Sequence, residues 1–257
     1  MSCYVSVIIP VFNEEKRLPV TLRHVVDFLK SQPYSSEVLV VDGGSTDGTK
    51  AISESFIQEF PSLRIIEEGK RMGKGHAVKM GMLSAGGEYC LFMDADYAVP
   101  IEYLSEFLSL IKKEGGIIVG SRALEGSILE QRQSFIREGL ARSFGILQKF
   151  ILQLPVFDTQ CGFKLLKGEN VKQLFSKMVY DCAYFDAELL YIAHHYGIPI
   201  KEVPVRWKHD GETRLPIGVG RSVDLLIKLF RIKKIHSKSV HKIQMKLPTR
   251  STKKAPI

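Results

Sequence analysis

The chain has 257 residues, which is long enough for one large α/β domain and short for two independent domains. Hydrophobic residues make up 45% and charged residues 25%, as in ordinary globular proteins, and no stretch approaches the roughly 18 consecutive apolar residues of a membrane-spanning helix. The net charge of +8 is uneven, because residues 221–257 hold 11 bases and one acid, whereas residues 1–220 hold 25 bases and 27 acids. A basic C-terminal segment on a nearly neutral body indicates a polyanion near that end, either a lipid surface or a nucleic acid.

The N-terminus and the cysteines exclude two further classes of protein. The chain enters the apolar segment Val5–Pro10 without a basic region or a cleavage-like site, so we predict no signal peptide. The cysteines lie far apart and form no CxxC pair; they are Cys3, Cys90, Cys161 and Cys182. This spacing disfavours a zinc site or a disulfide framework, and free thiols are the simpler interpretation.

Short apolar segments alternate with helical patterns through the first half of the chain. The predicted strands are Val5–Pro10, Glu37–Asp42, Leu63–Glu67, Tyr89–Asp94 and Gly116–Ser121. The predicted helices are Leu18–Ser31, Thr46–Phe60, Gly73–Ala85 and Ile101–Lys113. Alternating strands and helices predict an α/β fold, a doubly wound and mostly parallel sheet with helices on both faces.

The alternation becomes less regular in the second half. The predicted elements there are a helix from Gln133 to about Leu152, a strand at Gly162–Leu166, a helix at Phe185–Tyr196 and a strand at Ile200–Trp207. We therefore expect one folded domain over residues 1–235. The remaining residues, 236–257, are polar and basic with two prolines, and we expect them to form a disordered tail.

Polar and charged residues follow four of the predicted strands at the point where each strand ends. The segments are Pro10–Glu14, Asp42–Gly48, Asp94–Asp96 and Gly120–Arg122. Ligands of parallel α/β sheets bind at the carboxyl ends of the strands. Four such strand ends that converge on one crevice are hard to explain by packing, so the sequence predicts a ligand site there.

Asp94 and Asp96 are the most specific feature of this predicted site. An apolar strand delivers two carboxylates separated by one residue, and hard oxygen ligands suit Mg²⁺ or Mn²⁺, which can bridge a diphosphate. An isolated pair of this kind is often a solvated turn, but the polar neighbouring strand ends favour a metal site. Asp42 is placed to accept hydrogen bonds from a base or ribose. Lys74 lies in Gly73–Gly75, which opens a helix and suits an anion, with a flexible turn as the alternative.

Six motifs together resemble the inverting glycosyltransferase family 2, whose fold is named GT-A. They are V-I-I-P-V-F-N-E-E, V-V-D-G-G-S-T-D-G-T, G-K-G-H-A, M-D-A-D, G-S-R and D-T-Q-C-G-F-K. The segment Asp158–Lys164, followed by Phe185–Leu190, is similar to the dolichyl-phosphate glucosyltransferase branch, and the dolichyl-phosphate mannose synthases are next nearest. The resemblance covers roughly residues 4–235.

The resemblance implies a role for residues at each strand end. The residues expected to line the nucleotide are Pro10, Phe12, Glu14, Asp42 and Lys74. Asp94 and Asp96 would hold Mg²⁺ or Mn²⁺ and the diphosphate, Arg122 matches a family arginine near the donor and acceptor phosphates, and Arg137 matches a second one. Mannose synthases usually carry Gln and Ser where Ala98 and Ala141 stand here, which counts against a mannose synthase more than against the family.

The acceptor decides whether the reaction needs a base. A lipid monophosphate is already largely ionised at neutral pH and needs cations to orient it, for which Arg122, Arg137 and Lys164 are the candidates. A hydroxyl acceptor would need a general base, for which Asp158 is the candidate unless it only pairs with a nearby cation. We expect transfer of glucose from UDP-glucose to dolichyl or polyprenyl phosphate. A GDP-mannose donor and a hydroxyl acceptor are the alternatives.

Two other classes of protein are disfavoured. A nucleotidyltransferase usually has a Gly-rich, basic loop after its first strand, where this chain has Phe12-Asn13-Glu14. A nucleic-acid-binding protein is supported only by the basic tail and leaves the polar strand ends unexplained. The sequence therefore favours a glycosyltransferase over both.

The C-terminal segment suggests how a lipid acceptor is reached. Apolar residues at helical spacing predict an amphipathic helix over residues 219–235; they are Val219, Val223, Leu226, Ile227 and Phe230. Such a helix, followed by a basic tail, can lie at an anionic membrane surface. Alternatively, the helix packs on the domain and the tail is a solvated or nucleic-acid-binding extension, or a membrane partner subunit replaces direct lipid contact. We expect a peripheral protein on the cytoplasmic face of a membrane.

Overall fold

The computed structural model describes residues 3–130, 145–182, 184–208 and 227–236. Its centre is a seven-stranded sheet in the order β3-β2-β1-β4-β7-β5-β8. The strands of this sheet are β1 (Val5–Val11), β2 (Ser36–Asp42), β3 (Leu63–Glu67), β4 (Tyr89–Met93), β5 (Ile117–Ser121), β7 (Phe163–Lys167) and β8 (Ile200–Pro204). Two further strands, β6 (Ile128–Leu129) and β9 (Arg206–Trp207), pair in parallel beside it.

Helices cover both faces of the sheet. They are α1 (Leu18–Lys30), α2 (Thr49–Ser55), α3 (Lys74–Ser84), α4 (Tyr103–Glu114), α6 (Gly168–Phe175) and α7 (Phe185–His195), together with α5 (residues 145–152) and α8 (residues 227–236). Successive residues of each buried strand enter opposite layers of the core: Val7 and Ile9 pack with α1 and α4, and Ile8 packs with α3. The predicted α/β fold, with its mostly parallel sheet and helices on both faces, is confirmed.

Strand β7 is the antiparallel member of the sheet, and it lies between β4 and β5. The sequence predicts a strand there but not its direction, because an apolar run looks the same whichever way it pairs. The antiparallel direction brings the start of β7 to the edge where β4 ends, with Met93 opposite Phe163. The segment that precedes β7 therefore lies at the predicted ligand edge.

Several predicted boundaries differ from the structure. Helix α2 starts at Thr49 rather than Thr46, and the Asp47 side chain before it accepts a hydrogen bond from the backbone nitrogen of Thr49 at 3.0 Å. The predicted strand Ile200–Trp207 divides into β8 and β9, which join different sheets. Helix α6 and the two-residue strand β6 are not predicted. Both are short, and hydrophobic periodicity is weak over so few residues.

The described part of the C-terminal segment is helical and packs on the domain. Leu229 and Ile232 of α8 are buried, whereas Ile227 and Phe230, which belong to the predicted apolar face, are exposed. His236 is also buried, so the helix extends one residue beyond the expected end of the domain. Residues 219–226 and 237–257 lie outside the described residues. None of the helices that the structure describes is long and apolar enough to cross a membrane.

Glu188 holds α8 and the segment before α7 together. The fully buried carboxylate accepts hydrogen bonds from the backbone nitrogens of Val179 and Tyr180 at 3.0 and 2.9 Å, and His236 Nε2 lies 2.8 Å from it. A buried donor that loses its acceptor is costly, so Glu188 contributes to stability.

We expect Glu188→Ala to lower the free energy of unfolding by about 2–4 kcal/mol, because it leaves two backbone N–H groups without an acceptor. Glu188→Gln should cost clearly less, because its amide oxygen can still accept. Urea denaturation of both variants measures the difference. Equal losses in the two variants would contradict this account of Glu188.

Candidate functional site

A cleft opens at the edge of the sheet where β4 and β5 end. Its cavity volume is about 80 Å³. Residues from four segments line it: Met93, Asp94, Asp96, Ala98, Val99, Arg122, Gln160, Gly162 and Trp207. Asp94, Asp96 and Arg122 were expected here. Gln160 and Gly162 lie in the D-T-Q-C-G-F-K motif, but the sequence does not distinguish them from the rest of that motif.

Backbone contacts fix the loop that carries the two aspartates. Asp96 Oδ1 accepts a hydrogen bond from the Ala98 nitrogen at 3.1 Å, and the Thr21 hydroxyl of α1 donates to the Ala95 carbonyl at 2.6 Å. Tyr97, between them, has a φ of +53° and its ring stacks on His24 at 4.5 Å. A positive φ is costly for a tyrosine and is maintained by its surroundings. These contacts therefore fix the conformation of the loop, which is not a solvated turn.

Gly162 fits against Asp94 with no room for a side chain. The Asp94 nitrogen donates to the Gly162 carbonyl at 3.0 Å. A Cβ atom at position 162 would overlap the carboxylate of Asp94, well inside van der Waals contact. Glycine is therefore required at this position for Asp94 to keep its place in the cleft.

The two aspartates suit a divalent cation that is completed by other ligands. Burial, together with the nearby charge of Asp94, raises the pKa of Asp96 to about 6, because two carboxylates are kept close without a full counter-charge. No group of three or more His, Cys, Asp or Glu residues able to hold a metal is present among the described residues. Two carboxylates plus substrate phosphates are the usual way in which proteins hold Mg²⁺. The residues present therefore fit Mg²⁺ or Mn²⁺.

Charged side chains of alternating sign lie behind Asp94. Lys74 Nζ lies 2.6 Å from Asp94 Oδ1. Lys164, fully buried, pairs with Asp186 of α7 and donates to the Cys161 carbonyl at 2.6 Å. Burial disfavours the charged ammonium of Lys74, but the carboxylates of Asp94 and Asp186 outweigh it and raise the pKa of Lys74.

The prediction that Lys164 orients a phosphate in the cleft needs revision on this geometry. Lys164 points into the protein beneath the cleft, where the ring of Phe92 lies 5.6 Å from its ammonium group. Sequence reasoning missed the partner, Asp186, because the two residues are 22 positions apart. The pair places buried charge close to Lys74 and Asp94.

Arg122 is held by Asp158 through three hydrogen bonds. Asp158 Oδ2 accepts from the Arg122 nitrogen at 2.9 Å and from Nε at 2.7 Å, and Oδ1 accepts from Nη2 at 2.9 Å. Burial would raise the pKa of Asp158, but the charge and hydrogen bonds of Arg122 lower it to about 2. A carboxylate held this way is a poor proton acceptor at neutral pH, so Asp158 matches the ion-pair alternative.

Two of the residues expected to bind a nucleotide, Phe12 and Asp42, lie where β1 and β2 end. Asp42 Oδ1 accepts from the nitrogen and hydroxyl of Ser45 at 2.9 and 2.6 Å, and the Ser45 hydroxyl accepts from the Asn13 nitrogen at 2.9 Å. The Phe12 ring lies beneath the guanidinium of Arg71 at 4.2 Å. These contacts join the two strand-end loops into one rigid edge beside the cleft.

The other described residues expected to line the nucleotide are Pro10, Glu14 and Lys74, and each lies in a different place. Pro10 is half-buried within β1, and Glu14 pairs with Arg17 of the same loop at 2.5 Å. Lys74 reaches Asp94 rather than the β2 end. Arg137 and Ala141 lie outside the described residues. The sequence did not indicate Arg71 or the pair that His76 Nδ1 makes with Glu68, although both lie beside the β2 end.

Comparison with known proteins gives a family and close relatives. A protein-family model described as glycosyl transferase family 2 matches residues 6–175 of this chain. A dolichyl-phosphate beta-glucosyltransferase of Mus musculus is 40% identical over 226 residues, which are 82% of this chain and 69% of the relative. The Dictyostelium discoideum enzyme of the same description is 36% identical over 224 residues, which are 82% of this chain and 68% of the relative.

Solved structures share the fold at low sequence identity. Glucosyl-3-phosphoglycerate synthase from Mycobacterium tuberculosis in complex with UDP superposes with a TM-score of 0.60 and 18% identity, over 91% of this chain and 79% of that one. The mannosyltransferase PcManGT from Pyrobaculum calidifontis, in complex with GDP-Man and Mn²⁺, superposes with a TM-score of 0.59 and 22% identity. The match covers 83% of this chain and 59% of that one. These likenesses confirm the expected GT-A fold.

We expect Gly162→Ala to weaken Mn²⁺ binding about tenfold or more, because the added methyl group displaces Asp94, and disturbing the support of a metal ligand typically costs that much. Gly86→Ala is the matched control, since a Cβ there meets its nearest atom, Glu37 Oε1, at 3.5 Å. Titration calorimetry with Mn²⁺ measures both variants. Unchanged affinity in Gly162→Ala would show that Asp94 does not depend on the glycine.

Proposed function

This chain belongs to glycosyl transferase family 2, and we propose that it transfers glucose from UDP-glucose to dolichyl phosphate or a related polyprenyl phosphate. The observation that carries the proposal is the cleft, which sets Arg122 beside Asp94 and Asp96 while the carboxylate of Asp158 is committed to Arg122. An acceptor that is already ionised needs a cation for orientation and no general base. The similarity to dolichyl-phosphate beta-glucosyltransferases over most of the chain supports the same acceptor.

The donor would occupy the edge from β2 to β4. Pro10, Phe12, Glu14 and Asp42 would contact the nucleoside, whose base fits the end where Phe12 and Arg71 lie together. Asp94 and Asp96 would hold Mg²⁺ or Mn²⁺ together with the diphosphate. When bound, that cation offsets the negative charge that develops on the departing diphosphate. In the mannosyltransferase alternative, a GDP-mannose donor would occupy the same edge and would differ from UDP-glucose in its base and its sugar.

The acceptor phosphate would lie on the Arg122 side of the cleft. One of its oxygens attacks the anomeric carbon, a new carbon–oxygen bond forms, and the bond to the nucleoside diphosphate breaks with its electron pair on the leaving group. Attack from the opposite side inverts the configuration. Asp158 keeps the guanidinium of Arg122 in one orientation, because its carboxylate engages Nε and Nη2 together. Arg137 is proposed as a second phosphate contact.

Lys74 and Asp186 would stabilise the arrangement of Asp94. A fixed ammonium group 2.6 Å from Asp94 Oδ1 limits the positions that this carboxylate can adopt. The buried Lys164–Asp186 pair would in turn fix the charges around Lys74. Lys164 is thus proposed as a positioning residue instead of a direct contact to the acceptor.

Because the proposed acceptor is lipid-linked, we propose that the protein works at a membrane surface, on its cytoplasmic face. The exposed apolar residues of α8 are Ile227, Phe230 and Ile235, and the bases Lys233 and Lys234 lie near them in the chain. An apolar stripe followed by bases suits an anionic lipid surface, and the basic tail adds to it. A membrane partner subunit is the alternative for this contact.

We expect Asp96→Ala to lower the transfer rate at least about 100-fold with the fold retained, because metal stabilisation of the leaving group is worth several kcal/mol. The assay follows UDP release and lipid-linked glucose, with circular dichroism to check the fold. Full turnover by the variant, or by the unaltered protein in excess chelator, would contradict a metal-dependent reaction.

We expect polyprenyl phosphate to accept glucose and the corresponding polyprenol not to accept it. Arg122→Ala should reduce kcat/KM for the phosphate about tenfold or more, because a charge-assisted contact is lost. Arg122→Lys should recover only part of the activity, because it retains the charge but not the two-point contact with Asp158. Equal use of the alcohol and the phosphate would refute the proposed acceptor.

A further inference from the structure

The outer surface of helix α5 is apolar. Ile146 is 65%, Leu147 39% and Phe150 85% exposed, whereas Gln148 and Leu152 on the inner side are buried. A surface helix normally turns polar residues to the solvent and apolar residues to the core. Helix α5 has apolar residues on both sides, so its outer side is not explained by packing within the domain.

Phe157 continues this surface beyond the helix. Its ring is 49% exposed and lies 3.2 Å from the ammonium group of Lys149, a base of α5. A Cβ atom at Gly145, where the described part of α5 begins, would lie 3.1 Å from the Phe157 carbonyl. Ile146, Leu147, Phe150 and Phe157 are called the α5 face below.

The helices that pack on the opposite face of the sheet, such as α1 and α4, have no comparable group of exposed apolar residues in the described part of the chain. Val20 on α1 is an isolated example, and single exposed apolar residues are normal on protein surfaces. By contrast, the α5 face groups four large side chains, and groups of this kind mark contact surfaces. Helix α8, the other helix with several exposed apolar residues, packs in the same core layer as α5.

We propose that the α5 face inserts into the apolar boundary of the lipid bilayer that carries the acceptor. This inference rests on the proposed function, since a lipid-linked acceptor must be met at a bilayer. Phe157 directly precedes Asp158, which holds Arg122 in the cleft. Insertion of Phe157 would therefore bring the phosphate-binding end of the cleft close to the level of the lipid headgroups.

The chemistry of the α5 face fits a bilayer better than a protein partner. Its residues form the convex outside of a helix, which suits the flat lipid boundary. Lys149 stands among them and can extend its ammonium group to headgroup phosphates while its stem stays in the apolar region. The bases Arg231 and Lys234 of α8 lie on the same layer of the domain and would add attraction to anionic lipids.

The test compares Phe150→Asp with Val20→Asp in the full chain. Both residues are exposed on helices, but Val20 belongs to α1 on the other layer of the domain. Co-sedimentation with vesicles of phosphatidylcholine and phosphatidylglycerol should show about tenfold weaker binding for Phe150→Asp and unchanged binding for Val20→Asp. Equal binding by all three proteins would overturn the proposal. Thermal unfolding checks that each variant is folded, and Phe150→Ser replaces Phe150→Asp if it is not.

A second measurement separates this inference from the proposed function. Transfer is assayed with polyprenyl phosphate in the same vesicles and with a short, soluble prenyl phosphate without vesicles. Phe150→Asp should lose about tenfold on the vesicle acceptor and keep its rate on the soluble acceptor. If the unaltered protein uses neither acceptor, the proposed function fails, and vesicle binding alone then decides the docking. If sedimentation shows a dimer that Phe150→Asp makes monomeric, the α5 face joins two copies and the bilayer proposal is wrong.

Discussion

The contact between Gly162 and Asp94 is the constraint on which the site depends. It exists because β7 runs antiparallel between β4 and β5, so that the segment before β7 meets the end of β4. The Asp94 nitrogen donates to the Gly162 carbonyl, and the missing side chain of Gly162 leaves room for the carboxylate. The same segment carries Asp158, which reaches across to Arg122 after β5. One strand thus places both the acidic and the basic side of the cleft.

Two buried and two partly exposed charges lie in a row of alternating sign beside the cleft. Lys74 offsets part of the charge of Asp94, Asp186 lies near Lys74, and Lys164 pairs with Asp186. Lys164 and Asp186 are buried, so removing either one leaves the other charge buried without its partner, which is strongly destabilising. Burial and the nearby charge of Asp94 raise the pKa of Asp96 to about 6. Charge held in place before a ligand binds needs no rearrangement during transfer.

Packing within the domain explains the apolar side chains of the core but not the exposed apolar side chains of α5 and α8. Ile227 and Phe230 of α8 belong to the stripe that the sequence predicts, yet the domain packs on Leu229 and Ile232 instead. On α5, apolar residues lie both inside and outside. Hydrophobic periodicity identifies a helix with apolar residues, but it cannot tell a side that meets the core from a side that stays exposed.

The sequence alone determined most of the strands and helices, the sheet edge at which polar residues gather, and Asp94, Asp96 and Arg122 as residues of that edge. These follow from local patterns, because buried strands are apolar runs and the polar residues at their carboxyl ends lie where such sheets bind ligands. The tertiary structure decided the direction of β7, the partner of Arg122 and the burial of Lys164 beside Asp186. Each of these joins residues far apart in the chain, and a pairing of charges across 36 or 22 positions leaves no local pattern in the sequence.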